Sequence, residues 1–245
     1  MEGWLSGRKR RTRNAVYRKR YREFESHPFR QFTISNTNFM KLRGTKLKYY
    51  FLQDINPVVR FLIISDTVIM GAAGLLGPIF ALFITDFIRG GNEAVAGLAA
   101  GIYLLTKSIF QIPIAHLVDR IRGEKDDFWL MFVFSVLIAI IPLLYLVIDS
   151  PFELYLVQFI LGLFTAFTFP TYMAIFTRHI DRDKEGTEWG VYFTLTDLTG
   201  AALAALGGYI AAISGFPILI ITVVAVSFLG ALLLLPIKPY IKTNV

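Results

Sequence analysis

The 245-residue sequence contains no cysteine, and its three histidines, His27, His116 and His179, lie far apart. A chain without cysteine has no disulfide or thiolate site, and these histidines lack the spacing of metal ligands. No Gly-x4-Gly-Lys-Ser/Thr loop, Gly-x-Ser-x-Gly elbow or His-Glu-x2-His helix is present, which argues against ATP-driven transport and common hydrolase chemistry. We therefore expect a protein that is not an enzyme and that has neither a metal site nor a cofactor.

Net charge is absent from most of the chain. Residues 1–39 hold 10 of the 25 Lys/Arg and 3 of the 18 Asp/Glu, so residues 40–245 are neutral and the whole charge of +7 lies in the N-terminal arm. This arm is interpreted as a disordered tail or as a basic segment that binds lipid headgroups or RNA. Because the rest of the chain is neutral, nucleic-acid binding is the weaker hypothesis.

A third interpretation of the arm is that its start is wrongly assigned. Codons for residues 4–8 and 23–26 can be written as the D-arm and T-loop sequences of a transfer-RNA gene. Met40 would then begin the protein. In either case residues 40–57 are predicted to form a basic cytoplasmic lead-in, residues 58–238 a transmembrane domain and residues 239–245 a cytoplasmic tail.

Long apolar runs dominate the remaining chain, which is 55% hydrophobic with a mean hydropathy of +0.55. Runs of about 20 residues can cross a bilayer as helices. Six are predicted, at residues 61–87, 94–118, 128–148, 152–177, 189–213 and 216–236. The fold class is therefore an all-α integral membrane protein.

Basic residues indicate the orientation of the six spans. With the N-terminus inside, thirteen Lys/Arg after Met40 are cytoplasmic and Arg89 alone is outside, which is a strong positive-inside signal. The thirteen are Lys41, Arg43, Lys46, Lys48, Arg60, Arg120, Arg122, Lys125, Arg178, Arg182, Lys184, Lys238 and Lys242. We expect a multi-pass protein of the cytoplasmic (inner) membrane with both termini cytoplasmic.

A short internal repeat relates the first three spans to the last three. Pro78 and Pro170 lie 92 residues apart, and two further identities follow at the same offset, Thr85 with Thr177 and Ile88 with Ile180. The first and fourth spans cross in opposite directions. The pattern therefore predicts two inverted three-helix repeats, a plan known in secondary transporters.

The polar residues within these spans are candidates for a substrate or ion path. Lys107 lies roughly 16 Å from either end of its apolar run, and a charge at that depth is a functional hypothesis unless it has a structural partner such as Asp66 or Asp197. Tyr103 and Gln111 are spaced i−4 and i+4 from Lys107, so the three form one stripe. Asp66, Asp197 and Gln158 are the remaining candidates. The alternative for Asp66 is contact with lipid headgroups, and the alternative for Gln158 is an interhelical hydrogen bond.

The segment after the second span carries a recognisable motif. Ala115, Asp119, Arg120 and Gly123 resemble the Gly-x3-Asp-Arg-x-Gly-Arg loop of the major facilitator superfamily, with alanine at the first glycine and the second displaced by one residue. The resemblance implies a cytoplasmic gate formed by Asp119, Arg120 and Gly123. It also implies that the third and sixth spans stand outside the path. Gln158 replaces the arginine that the family links to proton coupling.

The resemblance implies a six-helix, half-length member that transports a small solute by alternating access, in a secondary active or facilitative manner. Its expected partners are that solute, membrane lipid and either a second copy or a separate six-helix half. Apolar walls with few charges suit a lipophilic or neutral solute. The alternative is a non-transporting membrane scaffold or regulatory half-bundle.

Overall fold

The computed structural model describes residues 52–120 and 123–241, so the predicted arm, most of the lead-in and the end of the tail lie outside the described residues. Six α-helices follow one another and no strand occurs within these ranges. They are α1 (Pro57–Leu76), α2 (Phe80–Phe87), α3 (Glu93–Arg120), α4 (Glu124–Ile140), α5 (Pro151–His179) and α6 (Glu185–Leu232). Short 3₁₀ turns cover Gly77–Ile79, Ile141–Leu146 and Leu235–Tyr240.

Prolines and polar caps explain where these helices begin and change. Asn56 accepts a hydrogen bond from the Val58 amide at 2.9 Å, ahead of a proline in the first turn of α1. Ser150 and Glu153 form a reciprocal capping box at the start of α5, which satisfies amides that have no partner within the helix. Pro142 lies where α4 gives way to its 3₁₀ turn, since proline cannot donate to the α-helical ladder.

Five helical stretches of the described chain are long and apolar enough to cross a membrane: Pro57–Phe87, Glu93–Arg120, Glu124–Leu146, Pro151–His179 and Glu185–Tyr240. The prediction of a multi-pass all-α membrane protein is therefore confirmed, whereas the number six is not. The predicted fifth and sixth spans lie in one 56-residue stretch. Within α6, which forms most of this stretch, only Gly215 leaves helical geometry, with φ 80° and ψ 166°.

The two parts of α6 on either side of Gly215, residues 185–214 (α6a) and 216–232 (α6b), both pack along α1. Tyr192 donates a hydrogen bond to Asp66 near the start of α1, and Gly207 lies against the backbone of Leu75 at its end. Gly230 then accepts a bond from the serine hydroxyl next to Asp66. The contacts move along α1 and return, so α6a and α6b run in opposite directions.

Buried apolar residues form two main clusters at opposite ends of the bundle. The cluster at the end rich in Lys and Arg, here called the basic end, includes Leu62, Phe128, Phe176, Val191 and Leu234. The cluster at the far end includes Leu75, Phe83, Tyr145, Leu154 and Ile220. Three segments, α1, α5 and α6a, contribute to both clusters, and so do α4 and α6b when each is taken with the 3₁₀ turn that follows it. Because these contributions come in alternating order, successive segments run in alternating directions.

Packing between helices leaves α3 at the edge of the bundle. A Cβ on Gly162 of α5 would lie 2.6 Å from the Tyr103 carbonyl, so α3 and α5 approach closely there. The other extensive contacts are between α5 and α4, between α4 and α6, and between α6 and α1. Only Ala99, Thr106, Ile114 and Val118 of α3 are buried, so most of its apolar surface is uncovered.

Gly207 provides a direct test of the contact between α1 and α6a. A methyl group there would collide with the Leu75 carbonyl, whereas one on the adjacent Gly208 would meet nothing within 4 Å. We expect Gly207→Ala to separate the helices and lower the stability in detergent by about 1–3 kcal/mol, the usual cost of overpacking. Gly208→Ala is the matched control, and thermal unfolding followed by circular dichroism compares the two. Equal melting temperatures would contradict the close contact.

Candidate functional site

A cavity of about 400 Å³ lies in the middle of the bundle, between α1, α3, α5, α6b and the end of α4. Its polar lining consists of Asp66, Tyr103, Tyr145, Gln158, Thr165, Thr168 and Ser227. Three of the predicted site residues, Asp66, Tyr103 and Gln158, thus come together on its wall. The remaining wall is aliphatic or aromatic, which gives a mainly apolar space with a few polar groups, as expected of a small-molecule site.

Tyr145 and Ser227 were missed by the sequence analysis. They belong to the third and sixth predicted spans, which were expected to stand outside the path and which instead contribute to the cavity wall. α6a, the fifth predicted span, provides none of the lining residues. A hydroxyl in an apolar run gives no sequence signal of the face it occupies, so only the packing reveals these two residues.

Among the described residues that line the cavity, Asp66 is the only one with a formal charge. Its Oδ2 accepts a hydrogen bond of 2.7 Å from the Tyr192 hydroxyl of α6a, and no ion pair is found for it within the described ranges. A carboxylate with one neutral donor retains capacity for further partners. Asp66 can therefore bind a proton, a cation or the donor group of a solute.

Gln158 is fixed at the far side of the cavity by a buried hydrogen bond. Its Nε2 donates to the Tyr145 hydroxyl at 3.0 Å, and both residues are buried. This geometry joins α5 to the 3₁₀ turn that follows α4, which is the structural role proposed for Gln158 from the sequence. The side-chain oxygen of Gln158 has no hydrogen bond of its own in the described structure, so it remains a candidate acceptor for a solute.

Aromatic residues cluster at both ends of the bundle. At the basic end Phe176 lies 4.3 Å from Trp189 between ring centroids, and Tyr192 contacts Tyr172. At the far end Phe83 contacts Tyr145 and Phe216. Met70, on the cavity wall, is 46% exposed, and Ala100 of α3 is exposed as well. The cavity is therefore open sideways, between α1 and α3.

Lys107 lies beside the cavity and is not part of its wall. Its backbone amide is next to Gly162, and its Nζ lies 4.7 Å from the centre of the Phe169 ring of α5. Neither Asp66 nor Asp197 forms an ion pair with it in the described structure. The hypothesis of an internal pair that locks the bundle therefore receives no support from these contacts.

The other residues of the predicted path do not line the central cavity. Gln111 and Asp119 line a groove of about 500 Å³ between α3 and α5 toward the basic end, together with Phe169 and Arg178. Tyr103 thus faces the central cavity and Gln111 the groove, although the two share one stripe. Asp197 lies on the exposed face of α6a, outside both spaces.

The predicted gate residues lie at the end of α3 and the start of α4. Asp119 and Arg120 are exposed, and Gly123 precedes α4 with an extended backbone of φ 174°. Residues 121–122, between them, are not among the described residues. The gate role of Asp119, Arg120 and Gly123 stays a prediction.

An ion pair at the basic end was not anticipated from the sequence. Arg178 at the end of α5 lies 2.5 Å from Asp127 in the first turn of α4, and the Asp127 side chain is 3% exposed. His179 Nε2 and Glu124 Oε2 lie 3.7 Å apart beside this pair. Acidic residues at the start of one helix and basic residues at the end of another suit the two helix dipoles. This charge pattern was the sequence signal from which the ion pair could have been predicted.

Loss of the Arg178 charge should destabilise the basic end. In Arg178→Gln the buried Asp127 carboxylate loses its cation, and we expect a loss of about 3 kcal/mol, the lower end of the cost of breaking a buried pair. Arg182→Gln removes an exposed charge on the neighbouring loop and should have little effect. Denaturation in detergent would measure both. An Arg178→Gln protein as stable as Arg182→Gln would contradict this role.

Comparisons with known proteins agree with this architecture. Residues 62–244 match the family described as the Major Facilitator Superfamily. The chain is also similar to an uncharacterized MFS-type transporter, YitZ, of Bacillus subtilis (strain 168), with 26% identity over 140 residues. That match covers 57% of this chain and 82% of the relative.

Proposed function

The chain belongs to the major facilitator superfamily and is a membrane transport protein, and we propose that it moves a small solute by alternating access. The observation that carries this proposal is the central cavity, where polar groups of four segments meet beside a single carboxylate. Aromatic clusters lie at both ends of the bundle. Alternate opening of these clusters would expose the cavity to one side of the membrane at a time.

Six crossings, arranged as two inverted three-helix repeats, are part of the proposal. The opposite directions of α6a and α6b support this count, and so does the length of the 56-residue stretch, which is far more than the ~20 residues that one crossing needs. Described basic residues such as Arg60, Lys125 and Lys184 belong to one end of the bundle. We accordingly place that end in the cytoplasm, with the protein in the inner membrane.

The cavity wall also suggests the chemistry of the solute. Asp66 would repel an anion, and the wall contains no Lys or Arg within the described residues. The apolar area would favour a molecule with a substantial hydrophobic part. We propose a small, largely apolar solute that is either uncharged or carries one positive charge.

A non-transporting scaffold or regulator is the second candidate. It is favoured by the extensive uncovered surface of α3, where Leu105 is 62% and Ile112 is 76% exposed. Exposed apolar surface of this kind also serves contact with lipid or with a second bundle. The two candidates differ in one property, since a scaffold requires no flux of solute.

Flux through proteoliposomes tests the proposed function. A panel of labelled amines and uncharged amides, each with an apolar group, should include at least one solute with saturable uptake. For an amine, Asp66→Asn should reduce uptake by about 10-fold or more, because a hydrogen bond to a charged group contributes about 1.5–3 kcal/mol. Asp86→Asn removes an exposed carboxylate at the far end and should transport normally.

The result that would contradict transport is an absence of saturable uptake for every solute in the panel, with protein that is folded and inserted. Equal uptake by Asp66→Asn and Asp86→Asn would contradict only the role of Asp66 and would leave transport itself intact. The first result favours the scaffold, whereas the second moves the solute site elsewhere in the bundle.

A further inference from the structure

Two opposite charges within the apolar helices have no ionic partner in the part of the chain that the structure describes. One is Lys107 of α3 and the other is Asp197 of α6a. We propose that two copies of this chain associate through the surface that carries these residues, with Lys107 of each copy paired to Asp197 of the other. The proposal rests on the proposed function only in taking each bundle to cross the membrane six times.

The surroundings of Lys107 within one copy stabilise its charge only in part. It lies roughly 16 Å from either end of its apolar run, where a charge costs about 2.5–3.5 kcal/mol or more. Its ammonium contacts the face of the Phe169 ring, and such an interaction contributes about 0.5–2 kcal/mol. Exposed apolar residues such as Leu104 and Ile109 lie beside it on α3. The aromatic contact therefore offsets only part of the cost.

The carboxylate of Asp197 requires a cation in the same way. It lies about 13 Å into its helix, and the next charged residue along the chain is Lys238. Its exposed neighbours Phe193 (55%) and Leu198 (66%) are hydrophobic. Without a partner the carboxylate would face lipid chains, which is as unfavourable for an acid as for a base. The charge of Lys107 is the complement that this surface requires.

The two charges lie at the same depth, with α5 as the reference. The backbone amide of Lys107 lies next to position 162 of α5, and its Nζ lies over the ring at position 169. Tyr192 contacts Tyr172, and Asp197 follows Tyr192 by five residues on a segment that runs opposite to α5. Asp197 therefore lies opposite about position 167, within the range of Lys107.

The positions of the helices make an internal pair difficult and a pair between copies simple. α3 packs on α5, whereas Gly71 and Gly74 of α1 contact α6a. The open side of the cavity, marked by the exposed Met70, lies between α1 and α3. α3, which carries Lys107, therefore borders this opening on one side, and α6a, which carries Asp197, packs on α1 at its other border.

A two-fold axis that passes through the opening, perpendicular to the membrane, brings α3 of each copy against α6a of the other. One contact of this kind is repeated twice in an isologous dimer, so both Lys107–Asp197 pairs form at one depth. Exposed alanines of α6a, Ala201, Ala202 and Ala205, allow another helix to approach closely. The second copy would also cover the open side of each cavity.

Charge reversal tests whether Lys107 of one copy pairs with Asp197 of the other. In Lys107→Asp both contacts of the dimer become Asp–Asp, and in Asp197→Lys both become Lys–Lys, so each variant alone should fail to associate. A mixed dimer of one Lys107→Asp copy and one Asp197→Lys copy has two attractive pairs. With differently tagged copies in lipid nanodiscs or mild detergent, we expect co-purification of the mixed pair to exceed that of either variant alone by about 10-fold.

Matched controls keep the result specific. Lys125→Asp at the basic end and Asp86→Lys at the far end change the same charges at exposed positions outside this surface, and both should associate as the unaltered chain does. Normal association of Lys107→Asp or Asp197→Lys alone would overturn the proposal. A mixed pair that fails to associate while the controls do so would overturn it as well.

A second measurement leaves both charges in place, for the case in which a charge-reversed variant does not fold. Because the chain contains no cysteine, Ser108→Cys and Ala201→Cys, at exposed positions on the two helices, each introduce a single thiol. Oxidation should crosslink the mixed copies and leave each variant alone mainly monomeric. Absence of the mixed crosslink would overturn the proposal. Neither experiment measures flux, so failure of the interface and failure of transport are separate results.

Discussion

The constraint on which this structure depends is that a charged or strongly polar group within a bilayer must find a partner or water. Asp66 meets the requirement through the Tyr192 hydroxyl and through the cavity that it lines. Gln158 meets it through Tyr145. Each of these contacts joins two different helical segments, so the same bonds that satisfy polar groups also hold the bundle around its cavity.

Close backbone packing makes these contacts possible. The glycines of α1 and α6 allow the two helices to approach until their main chains touch, as at Gly74 and Gly200. In a membrane, where apolar surface gains little by leaving lipid, such small-residue contacts provide much of the attraction between helices. The positive φ of Gly215 then lets α6b run back along α1. Ser227 of α6b thereby becomes part of the cavity wall.

The sequence predicted the positions of the helices better than the directions of their side chains. Length and apolar composition located the long apolar stretches, since these depend on local residues alone, although the fifth and sixth predicted spans lie in one stretch. Depth alone made Lys107 the leading candidate, yet depth does not reveal which neighbour a helix face meets, and the cavity charge is Asp66. Arg178 and Asp127 lie 51 residues apart, so their pairing depends on tertiary packing that no local pattern contains.

The central claim is that the space around Asp66 is a solute path that opens to each side of the membrane in turn. A single cysteine at Thr168, on the cavity wall of a chain without cysteine, permits a direct measurement with a membrane-impermeant thiol reagent. The account predicts labelling from either face of sealed vesicles, with a transported solute slowing both reactions. Labelling from neither face, or from one face only under all conditions, would contradict it.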